Sequence, residues 1–319
     1  MRLAVARHRL VRALAASALG WALGWAIGAA PARACSLRRV LELHPRMVDR
    51  HPLVRVRLDG QAAVFILDTG AERTMLTPAA VRLFGLRLDP YVGTTTVGIG
   101  GIERHANADV ARLSLHGLEL HQNTPLRDLS LSVGAIPQGP TMAGQVDGIL
   151  GRDLLGGFDL SLDLARRRIG LYRVRDCTRQ QLPAHLPWPA AGAVRTLPGY
   201  RRSLGIPVVA DGHVLRALID TGSSISLLAA AGIDRLGLSP ALLAHAPKGR
   251  ARGIGPRQVP VRAYRLDRLT VAGSLTRGLT VATASVILTP ILDMLLGVDW
   301  LDEHRVWLSY TTGQVLVGR

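Results

Sequence analysis

"FILDTGAERTML", residues 65–76, joins three apolar residues to Asp-Thr-Gly, then runs polar before turning apolar again. Read alone, Asp68 is a turn residue or helix cap at the end of a strand. A second stretch changes that reading. "LVRVRLDGQAAVFILDTG" (53–70) returns as "GIPVVADGHVLRALIDTG" (205–222), so that Asp59-Gly60 answers Asp211-Gly212 and Asp68 answers Asp220, 152 residues on. Gly85-Leu86 answers Gly237-Leu238 at the same offset, "GIGG" (98–101) answers "GIGP" (253–256), and "GILGRDLL" (148–155) answers "DMLLGVDWL" (293–301). Five landmarks kept in one order are a duplicated unit.

The local code within each copy reads as β-structure. Leu53 to Leu58 alternates apolar and polar, Asp59-Gly60 is a hairpin turn, and Ala62 to Leu67 is the returning strand. Thr77-Pro78 opens a short helix that Gly85 closes, and Leu228 to Leu236 with Gly237 is its counterpart. Further strands are predicted over Val110 to Leu115 and Tyr264 to Val271, short helices near Gly151 and Gly297, and final hairpins in "LSLDLARRRIGLYRV" and "VWLSYTTGQVLVG". Many short strands, Gly-rich turns and little helix predict an all-β chain of two β-barrel-like lobes.

Two carboxylates at equivalent places in duplicated lobes can be brought face to face by a pseudo-twofold axis. Like charges that close share one proton near neutrality. The ionised member can then take a proton from water while the protonated one hydrogen-bonds a carbonyl, which is general acid–base attack on an amide. Gly70 and Gly222 let the chain turn and the lobes approach, and the hydroxyls of Thr69 and Thr221 can hold the loops.

"ILDTGAERTML" with "GILGRDLL", repeated as "LIDTGSSISLL" with "DMLLGVDWL", resembles the aspartic protease clan, and most closely the retropepsin-like branch with two lobes fused in one chain, as in its bacterial members. The resemblance covers roughly 52–175 and 200–319. It implies an aspartic endopeptidase with Asp68 and Asp220 as the catalytic dyad, Thr69 and Thr221 locking the loops across the interface, and the segments ending at Gly151 and Gly297 threading beside them. "TVGIGG" sits where such a lobe carries its flap, so Gly98, Ile99, Gly100 and Gly101 are assigned to substrate covering; for "GIGP" a flap and an ordinary Gly-rich turn stand equal. The implied partner is a peptide or protein bound in extended form. No cofactor or metal is expected, and one chain suffices for a dyad.

The sequence departs from the family pattern in three places. Ala71 follows the first DTG, as in the viral enzymes, whereas Ser223 follows the second, as in pepsin-like ones; a hydrogen bond from the Ser223 hydroxyl is expected to make Asp220 the more readily ionised partner. The flap lacks the pepsin-like tyrosine, Tyr91 lying upstream. The short stretch between Ala34 and Asp68 leaves no room for a pepsin-style propeptide. Comparison of the copies adds one pair: charge stands at Glu72 and Arg152 in the first and at neither counterpart, Ser224 and Val298, in the second. A structural Glu72–Arg152 ion pair is predicted.

With 48% hydrophobic residues the chain can fill a core. Its net charge of +16 raises the question of nucleic acid, yet the arginines are scattered and aromatics are only 4%, so a solvated basic surface is expected in place of a base-stacking one. A basic "MRLAVARHRLVR", eighteen uncharged residues (13–30) and "ARA" (32–34) predict export, by a cleaved signal or a retained membrane anchor. Cys35 can pair with Cys177, the preferred reading, or serve as a lipoprotein acceptor. The domain plan is therefore 1–34 as signal or anchor, 52–175 and 200–319 as the lobes, and 176–199 as a Pro-rich linker. The protein is expected in the bacterial periplasm or anchored in the cell envelope. A catalytically silent peptide-binding protein of the same fold is the alternative function.

Overall fold

Each copy of the repeat is started by the hairpin that Asp-Gly imposes. In a computed structural model, which describes residues 34–122, 128–136, 141–142, 144–199, 203–288 and 292–318, strand His51–Leu58 pairs with Gln61–Leu67 and strand Ile206–Ala210 with His213–Ile219. Asp59 and Gly60 have φ of +48° and +85°, and Asp211 and Gly212 of +46° and +85°. These are the two left-handed centres of a type I′ turn. Each aspartate also reaches the next strand: Asp59 accepts the Arg112 amide at 2.7 Å and Asp211 the Arg268 amide at 2.8 Å.

In both lobes the second hairpin strand is flanked in parallel by the apolar segment ahead of the helix, Gly148–Leu150 in the first and Met294–Leu296 in the second. Helix Pro78–Leu83 is capped by the Thr77 side chain; its counterpart is Ala230–Arg235, and the glycines that follow, Gly85 and Gly237, have φ of +62° and +64°. The lobes close differently. Strand Gln258–Val271 reaches back to Ile206–Ala210 and shuts a six-stranded barrel. Its first-lobe equivalent, predicted as a strand through Val110 to Leu115, breaks at Ala111-Arg112 into Gly101–Val110 and Leu113–Leu115. The cause is its partner: Ser274–Thr283 is unbroken, whereas Leu118–Leu120 and Leu129–Val133 are separate and leave no ladder at the break.

Beneath the lobes lies a shared six-stranded sheet, in the order Ser36–Leu43, Arg168–Arg175, Asp159–Asp163, Arg305–Ser309, Gln314–Gly318, Gly192–Arg195. Its central pair matches Leu160 with Leu308, Ser161 with Trp307 and Leu162 with Val306. Ser161 and Trp307 are equivalent positions of the repeat, so the pseudo-twofold axis passes through that pair. Asp159, fully buried here, accepts from the Trp307 indole (3.2 Å), the Ser309 hydroxyl (2.6 Å) and the Thr311 amide (3.0 Å), clamping the second lobe's strand to the first lobe's. One apolar core runs from Val54, Phe65 and Leu150 through Leu160 and Leu308 to Ile219 and Trp300.

Two parts of the domain plan change. The segment taken as a linker, 176–199, is built into the fold: it carries helix Leu182–His185 and the edge strand Gly192–Arg195, and Trp188 and Leu182 pack on Tyr172 and Trp307. The first lobe's chain also begins before residue 52, since Ser36–Leu43 is the opposite edge of the shared sheet and Arg46–Val48 pairs with His51–Leu58. Cys35 and Cys177 form a disulfide between the base of that edge strand and the segment following Arg168–Arg175. The basic and apolar stretch read as signal or anchor lies outside the described residues up to residue 33. No helix among the described residues is long and apolar enough to cross a membrane.

Candidate active site

Asp68 and Asp220 each sit one residue past an apolar strand that ends against the shared core. The Asp68 amide donates to the Leu150 carbonyl at 3.0 Å and the Asp220 amide to the Leu296 carbonyl at 2.9 Å, so the segments before Gly151 and Gly297 hold the two loops. Those glycines are required by contact: a Cβ at Gly151 would lie 2.6 Å from the Arg73 carbonyl carbon, and one at Gly297 2.6 Å from that of Ile225. Next to them a hydroxyl–carboxylate brace recurs. Thr74 donates through amide (2.8 Å) and hydroxyl (2.7 Å) to Asp153, as Ser226 does to Asp299 (2.9 and 2.7 Å). Sequence reading matched Asp153 with Asp299 but missed this role; the shared 152-residue spacing of Thr74 and Ser226 was the available signal.

Across the interface the threonines exchange bonds. The Thr69 amide donates to Thr221 Oγ1 at 3.0 Å and the Thr221 amide to Thr69 Oγ1 at 3.1 Å, while the two hydroxyls donate to the Ile219 carbonyl (2.8 Å) and the Leu67 carbonyl (2.6 Å). All four groups are buried, where an unpaired partner would cost about 1–3 kcal/mol. This lattice brings the carboxyls into hydrogen-bonding contact, each residue only 8% exposed. Gly70 and Gly222 owe their identity to that approach. A Cβ on Gly70 would stand 2.5 Å from the Asp220 carboxyl carbon, and one on Gly222 would meet the Asp68 carboxylate. Neither has positive φ, so it is the facing carboxylate that excludes a side chain.

The carboxyls are inequivalent. Burial raises both. For Asp68 this is only partly offset by the hydrogen bond from Asp220, by the Ala71 and Gly70 amides (2.9 and 2.8 Å) and by the charge of His51, so it too stays above the usual carboxylate range. For Asp220 burial is reinforced by the Asp68 charge and only partly relieved by the Gly222 amide at 2.9 Å, with a smaller share from Ser223, so it lies well above the usual carboxylate range. Of the two, Asp220 is held the further toward its protonated form. The Ser223 expectation is overturned: its hydroxyl donates to the Ile225 carbonyl at 2.7 Å and leaves Asp220 without that support. His51, missed in the sequence, lies opposite Asp68 by extension of the Leu53–Ile66 register, and its Nδ1 is buried with no hydrogen-bond partner. The repeat places Ser203 at the equivalent position.

Both Gly-rich turns are hairpin tips, and they meet. Gly98 to Gly101 form the tip of hairpin Leu88–Gly98/Gly101–Val110. The Gly100 amide donates to the Ile254 carbonyl at 2.9 Å and the Arg257 amide to the Gly100 carbonyl at 3.1 Å. Ile99 packs on the second lobe's Leu218, Leu227 and Leu295, and Ile254 on the first lobe's Leu53, Ile66 and Ile149. "GIGP" is thus the connection of a hairpin, Lys248–Arg252 with Gln258–Val271, that contacts the first. Glu72 and Arg152 pair at 2.6 Å beside the loop, with the Glu72 side chain 76% exposed, which limits the pair to about 1 kcal/mol. Cys35 and Cys177 lie at the shared sheet, away from the dyad. Among the described residues no cluster of three or more His, Cys, Asp or Glu side chains is arranged to hold a metal.

The comparisons agree with this geometry. The crystal structure of an aspartic proteinase from Irpex lacteus superposes with a TM-score of 0.50 at 12% identity, covering 89% of this chain and 97% of that one, which is a likeness of fold. No curated protein sequence matches. A family model described as aspartyl protease matches residues 54–154 and 206–300, one segment in each lobe. On that match, which spans more than half of its length, the chain belongs to the aspartyl protease family.

Proposed function

We propose that this protein is an aspartic endopeptidase in which Asp68 is the general base and Asp220 the general acid. The observation that carries the reading is the unequal pair: two buried carboxyls in contact, Asp68 accepting two loop amides and Asp220 one, with Asp220 held the further above the usual carboxylate range. Asp68 takes a proton from water as its oxygen attacks the scissile carbonyl, and Asp220 gives its proton to the carbonyl oxygen. The resulting gem-diol returns a proton to Asp220, Asp68 passes its proton to the amide nitrogen, and the C–N bond breaks. Water is consumed, an acid and an amine are formed, and the dyad regains its starting state.

An extended peptide lies between the dyad and the flaps, pairing its backbone with theirs. The flaps must part to admit it, and their glycines make that motion inexpensive. Apolar residues on both sides, Leu53 and Ile149 in one lobe and Leu218 and Leu295 in the other, favour apolar side chains about the scissile bond. One chain supplies both carboxylates, so a monomer is sufficient. Export to the cell envelope is part of the proposal; the Cys35–Cys177 disulfide is in keeping with an oxidising compartment.

The test is cleavage of a denatured protein by the purified full chain across acid to mildly basic pH, beside Asp68→Asn and Asp220→Asn. Loss of rate by about 10³- to 10⁴-fold in each variant is expected. Cleavage that survives both substitutions overturns the reading. A folded wild type that binds peptides but cleaves none would establish the silent peptide binder instead.

A further inference from the structure

The two flap hairpins differ in charge. A cavity of about 330 Å³ opens between the first lobe's Ala135 and Ile136 and the second flap's Arg252, Arg257 and Gln258. Ile136 belongs to the apolar cluster that also holds Ile149, Ala71 and Ile254, so the cavity adjoins the dyad loop and the flap tip. Neither arginine forms an ion pair among the described residues. The Arg257 guanidinium is held against the first flap, 3.3 Å from where a Cβ on Gly101 would stand. The outer strand prolongs the charge: Lys248, Arg250 and Arg252 are exposed along Lys248–Arg252, and Arg262 pairs opposite Lys248.

The first flap carries one exposed cation, Arg104, set back from the tip and donating to the Thr95 hydroxyl at 3.4 Å. The residues flanking its tip are Val97 and Ile102, paired across the hairpin and 57% and 67% exposed. Its acid, Glu103, is turned inward to His105 at 3.4 Å. The second flap thus brings two arginines to this cavity, where the first brings aliphatic side chains to its tip. A charged subsite on one hairpin alone can tell a peptide from its reverse.

We propose that Arg252 and Arg257 form a cationic subsite that selects peptides with an acidic side chain on one side of the scissile bond, and thereby fixes the direction in which substrate lies. The proposal deepens the endopeptidase reading and rests on it. Guanidinium groups offer planar, multidentate donors to a carboxylate and repel a lysine at the same place. The basic strand beyond them steers an acidic segment toward that end.

The experiment uses the full chain and peptides with one apolar core, carrying Glu, Gln or Lys at successive positions on either side of the bond. At a position on one side only, the Glu peptide should exceed the Gln peptide in kcat/KM by about fivefold, with Lys below both, the size expected of partly exposed ion pairs. The gap should shrink in about 0.5 M salt. Arg252→Gln with Arg257→Gln should bring the Glu/Gln ratio to about one, and Arg257→Glu should shift preference toward Lys. No Glu/Gln difference at any position, or one that survives the double variant, overturns the proposal. Binding of the same peptides to Asp220→Asn separates the two readings. Charge-selective binding by a protein that never cleaves sinks the endopeptidase alone; cleavage without charge selection sinks the subsite alone; binding of no peptide sinks both.

Discussion

The two Asp-Thr-Gly loops have one architecture and two electrostatic fates. Both end an apolar strand, both are braced by a hydroxyl–aspartate pair, and both are locked by the same threonine exchange. Yet Asp68 gathers two loop amides and a neighbouring histidine, while Asp220 bonds Gly222 and faces the Asp68 charge. Duplication supplied the geometry, and small divergences beside it decided which carboxyl keeps the proton. The lesson is that a pseudo-symmetric site can reach functional asymmetry without altering any residue of its signature tripeptides.

The harshest way to break the symmetric half of this comparison is to fill the space between the carboxyls. Gly70→Ala and Gly222→Ala should each abolish activity and lose about 1–3 kcal/mol of stability, the range for forced overpacking. The losses should be alike, because each Cβ meets the opposite carboxylate. Chemical denaturation of both variants checks this, and an unaffected variant would mean that the carboxyls stand farther apart.

The asymmetric half is sharpened by stability against pH. Burial and the Asp68 charge hold the folded-state value of Asp220 above its unfolded value. Its protonated form is therefore favoured by folding, and that contribution is lost as pH rises through the raised folded value. Asp220→Asn cannot ionise, so its melting temperature should match wild type in acid and exceed it by about 2–4 °C at higher pH. Asp68→Asn should gain less, since it gives up a carboxylate that accepts from Gly70 and Ala71. Equal gains would erase the assignment of acid and base.

The mildest test concerns the neighbour. His51→Ala removes the neighbour whose charge favours ionised Asp68, so the acid limb of kcat/KM should move to higher pH. Ser223→Ala should leave that limb in place, because its hydroxyl is occupied by Ile225. Movement with Ser223→Ala and none with His51→Ala would invert the account.

Much of this was legible in the residues. Asp59-Gly60 and Asp211-Gly212 announce type I′ hairpins because only a few residues tolerate two successive left-handed centres, and the chain obeys. The Glu72–Arg152 contact was readable from charge gained together at two positions of one copy. The structured role of 176–199 was hidden, since prolines suggest a connector until Trp188 and Leu182 find a sheet made by strands from both lobes. Ser223 misled because a hydroxyl next to a carboxylate in sequence can turn to a carbonyl nearby in space.

By itself, then, the sequence determined the repeat, the hairpins, the all-β lobes and the two aspartates on equivalent loops. These rest on contacts between near neighbours and on periodicity, which one strand of text records. Only the tertiary structure decided which aspartate is held the more strongly protonated, that the second Gly-rich hairpin exchanges its isoleucine with the first, and that Arg252 and Arg257 line a cavity beside it. Each of these depends on groups brought together from different lobes, and the energy of a charge or an apolar side chain is set by what surrounds it, not by what precedes it in the chain.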